Sequence, residues 1–167
     1  MAELHHAISI SDLLTPDLVF PDLQAQTKGD VLETLAVHVA RAQPELDVRR
    51  LADSLLEREQ QSTTALENGV AIPHVRLTGL RSPFAAFARS TAGVAYGAAD
   101  GNPTQLFLLL VVAADQPGSH LKLLARAARL LSDDGCRSRL LDAPSAVELL
   151  AVLREHEQRA NGGLRAA

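Results

Sequence analysis

The stretch TTALENGVAIPHVRL, Thr63 to Leu77, decides how the chain reads. It begins in small and turn-forming residues, runs through Val70, Ala71 and Ile72, and stops at Pro73-His74. Asn68-Gly69 is a turn signal, and "VAIP" is a short buried strand. Pro73 fixes its own φ and restricts Ile72, so the backbone entering His74 is stiff. A histidine at the end of a buried strand stands where α/β folds place their ligands. The same features also suit a capping or core histidine, and local geometry leaves both readings open.

Upstream of this stretch, Thr27-Lys28-Gly29-Asp30 has the capping-box pattern. Val31, Leu32, Leu35, Ala36 and Val39 then recur at helical spacing. A short strand is expected around Leu18 to Phe20. A second helix follows Asp47, with Val48, Leu51, Ala52, Leu55 and Leu56 as its apolar stripe, and ends near Glu59-Gln60. Downstream, Phe84, Ala86 and Ala88 alternate with Ala85, Phe87 and Arg89, which predicts a strand. Gln105 to Ala113 reads as the central strand. Helices are expected from Ser119-His120 to Leu131, from Gly135 to Leu141, and from a Ser145/Glu148 cap to about Glu155, with a frayed tail beyond. Strands interleaved with helices predict one α/β domain over residues 1–167, ordered over about 8–156. Its mixed central β-sheet is flanked by helices on both faces. The tight Asp100-Gly101 turn before Gln105 permits an antiparallel pair within that sheet.

The bulk numbers exclude several classes of function. The 167 residues are 47% hydrophobic but only 3% aromatic, so the core is aliphatic. A formal net charge of -4 argues against a nucleic-acid binder, which would carry a basic face. No apolar run approaches the ~20 residues of a membrane-spanning helix, and no secretory signal opens the chain. One cysteine, Cys136, excludes an internal disulfide and fits a reducing, cytoplasmic setting. It reads as a small residue near a helix start.

Several side chains could carry chemistry. His120 opens a helix and shares a face with Leu124, Ala127 and Leu131, so its imidazole points inward. The positive end of the helix dipole disfavours imidazolium there and favours an anion such as phosphate. Arg58 closes the second helix, a place that suits any cation, and spacing alone does not select it. His5 and His6 read as a solvated N-terminus, His38 as a partly exposed histidine beside an apolar stripe, and His156 as a residue near the frayed end. No GxGxxG or Walker loop, metal-ligand spacing or GxSxG elbow is present, and no cofactor is implied. Two histidines far apart in sequence, one preceded by a hydroxyl-bearing loop, can serve phosphoryl transfer, because neutral imidazole is a good nucleophile toward phosphorus.

The segment STTALENGVAIPHVRL resembles the signature of the fructose/mannitol-type IIA domains of the bacterial phosphotransferase system, and more closely that of the free-standing nitrogen-regulatory IIA proteins. The resemblance extends from about Ile8 to Leu153 through ISDLLTPDLVFPDLQAQTKGDVLETLA, SPFAAFARS and GSHLKLLARAARLLSD. It implies a phosphohistidine carrier. His74 matches the histidine that accepts a phosphoryl group from HPr or a nitrogen-branch HPr-like carrier. His120 matches the second active-site histidine and Arg58 the arginine at the phosphate, with Thr63 and Thr64 assisting in phosphoryl binding. Regulatory target proteins are implied as further partners, and neither nucleic acid nor membrane is. Two positions depart from the pattern: the family often has glycines where this chain has Ala65 and Glu67. Facing the site, the Glu67 carboxylate would oppose phosphorylation. The expected role is regulation through phosphorylation state. The alternatives are a sugar-uptake IIA that passes phosphate to a separate IIB, and an interaction module without phosphotransfer.

Overall fold

In the computed structural model, which describes residues 8–163, the fold is organised by β5 (Thr104–Ala113). The strand is buried on both faces, and its alternate residues enter two different cores. Leu106, Leu108, Leu110 and Val112 belong to one; Phe107, Leu109 and Val111 belong to the other. An apolar run with no polar face is what such a strand requires. β4 (Phe84–Val94) pairs antiparallel to β5 and splits the same way, with Ala85 and Phe87 on one side and Phe84, Ala86 and Ala88 on the other.

β1 (Val19–Phe20) lies parallel to β4 and forms one edge of the sheet. At the other edge, β2 (Val70–Ala71) and β3 (His74–Leu77) both run parallel to β5. The sheet is therefore mixed, as expected, and the connection through Asp100-Gly101 joins its antiparallel pair.

Helices cover both faces. α1 (Lys28–Ala42) and α2 (Val48–Gln61) close one core with Val31, Leu32, Leu35, Leu51 and Leu55. The Thr27/Asp30 capping box is fully formed. α3 (Pro117–Ser132), α4 (Asp134–Asp142) and α5 (Ala146–Gly163) close the other through residues such as Leu123, Leu140 and Leu149. α3 begins two residues before the expected Ser119, because Pro117 suits the first helical position, where its missing N–H is not needed. α5 continues past Glu155 to Gly163, so the expected frayed tail is helical that far. Cys136 is buried in the first turn of α4, where burial pushes its thiol up to about 12. His5 and His6 lie outside the described residues.

Buried polar groups tie the layers together. The Arg89 guanidinium, on β4, donates to the carbonyls of Pro21, Leu140, Leu141 and Ala143. It thereby satisfies the C-terminal carbonyls of α4. Glu157 on α5 accepts from the Ile10 and Ser11 amides and fixes the start of the described chain.

Candidate functional site

The local fold around His74 differs from the expectation in one respect that matters: the strand does not end there. Val70 faces Leu106 and His74 faces Leu110, so the register is the same on either side of Ile72-Pro73. β2 and β3 are one edge strand pinched at a proline that has no N–H for the ladder. The Pro73 carbonyl still accepts from the Leu110 amide at 3.0 Å and holds the register. His74 therefore begins a strand segment, and its ring leaves the edge of the sheet where α2 ends and α3 starts.

The hydrogen bonds fix the state of that ring. His74 Nδ1 is 2.8 Å from the Ile72 carbonyl, which can only accept, so Nδ1 carries the proton. Arg58 Nε lies 3.1 Å from Nε2 and can only donate, so Nε2 presents its lone pair. Both contacts specify a single neutral tautomer. Burial lowers the imidazole's affinity for a proton; the Ile72 hydrogen bond opposes this, the Arg58 charge adds to it, and Glu59 opposes it. Arg58 sits in the last turn of α2, where the helix dipole favours a cation, and its Nη1 also donates to the Ser62 carbonyl at 2.9 Å.

His120, in the first turn of α3, brings its ring centroid to 5.2 Å from that of His74. Burial, followed by the charges of His74, Arg76 and Arg58, lowers its pKa. Its Nδ1 is buried and has no hydrogen-bond partner among the described residues. Arg58, His74, Arg76, His120 and the N-terminal Pro117 of α3 line an open cavity of about 340 Å³. Chemically this is a lone-pair nitrogen beside a guanidinium and a second neutral imidazole, at the start of a helix that favours anions.

The structure thus brings His74, His120 and Arg58 together, and it leaves Thr63 and Thr64 out. Both threonines turn to Glu59 instead. The buried Glu59 carboxylate accepts from the Thr64 amide at 2.9 Å and the Thr64 hydroxyl at 2.6 Å. It also pairs with Lys28 Nζ at 3.1 Å, with Tyr96 Oη and Thr63 as further partners. Burial alone would raise the Glu59 pKa, but these hydrogen bonds outweigh it and the carboxyl stays below its ordinary range. Neither threonine lines the cavity; the Thr63 hydroxyl accepts from the Ala65 amide, and the Thr64 hydroxyl donates to Glu59. Thr64 also reaches His74 indirectly. Thr64, held by Glu59, accepts the Ile72 amide on its carbonyl at 3.0 Å, and the Ile72 carbonyl holds His74 Nδ1.

Glu67 is also removed from the site. Asn68 and Gly69 both have positive φ, the conformation an Asn-Gly hairpin turn demands. Leu66 and Val70 close that hairpin. Exposed Glu67 sits at its tip, beside the start of β5 where Gln105 and Leu106 bond Gly69. His74 pairs with Leu110, some five residues further along, or ~16 Å at strand rise. His38 stacks on Phe20 at 4.8 Å, at the opposite edge of the sheet, and His156 faces Asp133 on the α3–α5 side.

Two residues of the site were missed from sequence. Glu59 continues the Leu51, Leu55 spacing by one more helical turn, a signal that an inward-facing carboxylate was present. Arg76 was missed because the strand was ended at His74, which hid the i, i+2 relation between the two.

With the geometry in view, comparison with known proteins is direct. The family model described as "Phosphoenolpyruvate-dependent sugar phosphotransferase system, EIIA 2" matches residues 12–156. The nitrogen regulatory protein of Pseudomonas aeruginosa is 36% identical over 146 residues, covering 87% of this chain and 95% of that protein. The fructose-specific EIIABC component of Bacillus subtilis is 28% identical over 151 residues, which is 90% of this chain and 24% of that protein. The crystal structure of the nitrogen regulatory protein IIA-Ntr from Neisseria meningitidis superposes with a TM-score of 0.81 at 30% identity, covering 86% of this chain and 98% of that one. The chain belongs to the EIIA 2 family of the phosphoenolpyruvate-dependent sugar phosphotransferase system.

Proposed function

We propose that this protein is a phosphohistidine carrier of the nitrogen-regulatory type, which accepts a phosphoryl group on His74 Nε2 from HPr or a nitrogen-branch HPr-like carrier. The observation that carries the reading is the neutral tautomer of His74, with Nδ1–H held by Ile72 and the Nε2 lone pair facing the cavity beside Arg58. In transfer, that lone pair forms the new N–P bond. The bond from phosphorus to the donor breaks, and its electron pair leaves with the donor. No proton need move in this step: Nδ1–H remains on the Ile72 carbonyl, and the ring, now bonded at both nitrogens, carries one positive charge beside the phosphoryl oxygens. Arg58 Nε loses its acceptor as Nε2 is phosphorylated, and its planar fork becomes available to two phosphoryl oxygens. His120 supplies a neutral donor from the other side. Because the transition state is loose, catalysis consists mainly of positioning and charge stabilisation.

The regulatory assignment rests on the likeness to nitrogen regulatory proteins along nearly their full length. The similarity to a fructose-specific component supports a second reading, a sugar-uptake IIA that passes phosphate to a separate IIB. The two separate when the phosphorylated protein is mixed with a fructose-type IIB: retention of the label supports the first, and rapid transfer the second. The acceptor assignment is tested with His74→Ala, which should stay folded and gain no phosphate, and the role of Arg58 with Arg58→Ala. The latter variant should keep its fold while transfer slows by roughly 10- to 1000-fold, the range for loss of one preorganised charge-stabilising group. An unchanged rate in rapid-quench assays would reduce Arg58 to a surface cation.

A further inference from the structure

We propose that Arg76 is a second phosphoryl-contacting cation of this site, and that it stabilises the phosphorylated form of His74; this rests on the reading of His74 as the acceptor. His74 and Arg76 are two residues apart on β3, so both side chains leave the same face of the strand, with Cα atoms ~6.6 Å apart. Val75 between them turns to the opposite face and is buried in the α1/α2 core. Arg76 lines the cavity with His74, His120 and Arg58. It is exposed, and no hydrogen bond or ion pair engages its guanidinium among the described residues. Its charge already reaches the other imidazole, since it is one of the charges holding the His120 pKa down.

The charge balance of the site gives this cation its purpose. A phosphorylated side chain carries about -1.5 to -2 charges near neutral pH. Both imidazoles have lowered pKa values and so meet the phosphoryl group neutral. Arg58 is the one other cation lining the cavity, and part of its fork is already given to the Ser62 carbonyl. Beyond the positive charge that the phosphorylated ring itself acquires by keeping Nδ1–H, the near-dianion would without Arg76 face Arg58 alone in a half-enclosed site. The competing explanation is that β3 is an edge strand and a charged side chain there discourages pairing with another chain. In that case Arg76 has no effect on a phosphoryl group.

The test uses the whole protein with Arg76→Ala, Arg76→Lys and Arg76→Glu. Each is brought to equilibrium with phosphoenolpyruvate, the first phosphotransferase enzyme and the carrier, and is then titrated by ³¹P NMR in its phosphorylated form. Arg76→Ala should lower the equilibrium constant for phosphorylation by roughly 3- to 30-fold, as expected for one charge at short range in a partly wet site. It should also raise the pKa of the phosphoryl group. Arg76→Glu should go further, Arg76→Lys should retain most of the effect, and melting temperatures should stay level. Wild-type equilibrium and ³¹P titration in Arg76→Ala would overturn the proposal, even with a slower forward rate, since that pattern belongs to donor docking. A wild-type protein that takes no phosphate at all would instead overturn the acceptor reading, and this one with it.

Discussion

At the scale of single residues, the site depends on imidazoles kept neutral. His74 and His120 both have pKa values lowered first by burial. A histidine whose pKa is lower folded than unfolded stabilises the fold fully above the unfolded value, ~6.5, and less as pH falls through that value toward the folded one. Thermal stability should therefore decline on acidification below pH ~6.5, and His74→Ala or His120→Ala should each flatten that decline. His38 is shifted the same way by burial, so part of the slope should survive even the double variant. A melting temperature in the wild type that is level from pH 7 to 5 would refute the assignment of neutral, buried rings. For catalysis, His120→Ala should leave His74 phosphorylatable but slow the reaction by roughly 10- to 1000-fold. His120→Gln should recover part of the rate, because an amide can also donate. A fully active His120→Ala would remove His120 from the mechanism despite the 5.2 Å between the rings.

At the scale of elements, the edge strand and its hairpin decide what belongs to the site. The Asn-Gly turn carries Glu67 away from the imidazoles. Glu67→Gly should accordingly change the phosphorylation rate and extent by less than about twofold at 0.1 M salt, since the hairpin tip lies ~16 Å along β5 from the position of His74, beyond the ~10 Å screening length. A marked gain in extent would mean that the loop folds over the site. Much of this level was legible in sequence. The period-2 alternation of Phe84 to Arg89, the Thr27 cap and the unbroken apolar run of β5 all describe their own surroundings, so local pattern is enough. The partners of the threonines were not legible, for a different reason. Their partner, Glu59, is set by how α2 meets the Thr63-Thr64 loop, and a hydroxyl's partner is a tertiary fact that spacing within the loop does not contain. The same holds for Arg58, which local spacing could not separate from Arg41, Arg49 or Arg50, and which only the approach of α2 to β3 distinguishes.

At the scale of the whole molecule, the two halves of the site hang from opposite faces of one sheet: Arg58 from α2, His120 from α3, with His74 on the edge between them. Their alignment depends on the layers staying in place, and Arg89 is one of the ties. Arg89 is buried, and its Nε and Nη1 donate to main-chain carbonyls. Arg89→Met should cost about 2–4 kcal/mol in denaturant unfolding, because several buried carbonyls lose their donor at once. It should leave transfer at His74 intact while the protein remains folded. A cost near zero would show that α4 closes without it. The central claim, that His74 is the phosphoryl acceptor, is tested most directly by intact mass after incubation with phosphoenolpyruvate, the first phosphotransferase enzyme and the carrier. Wild-type protein should gain a single phosphate that is lost in acid and kept in base, and folded His74→Ala should gain none. Phosphate on His74→Ala at a comparable rate, or none on the wild type, would contradict it.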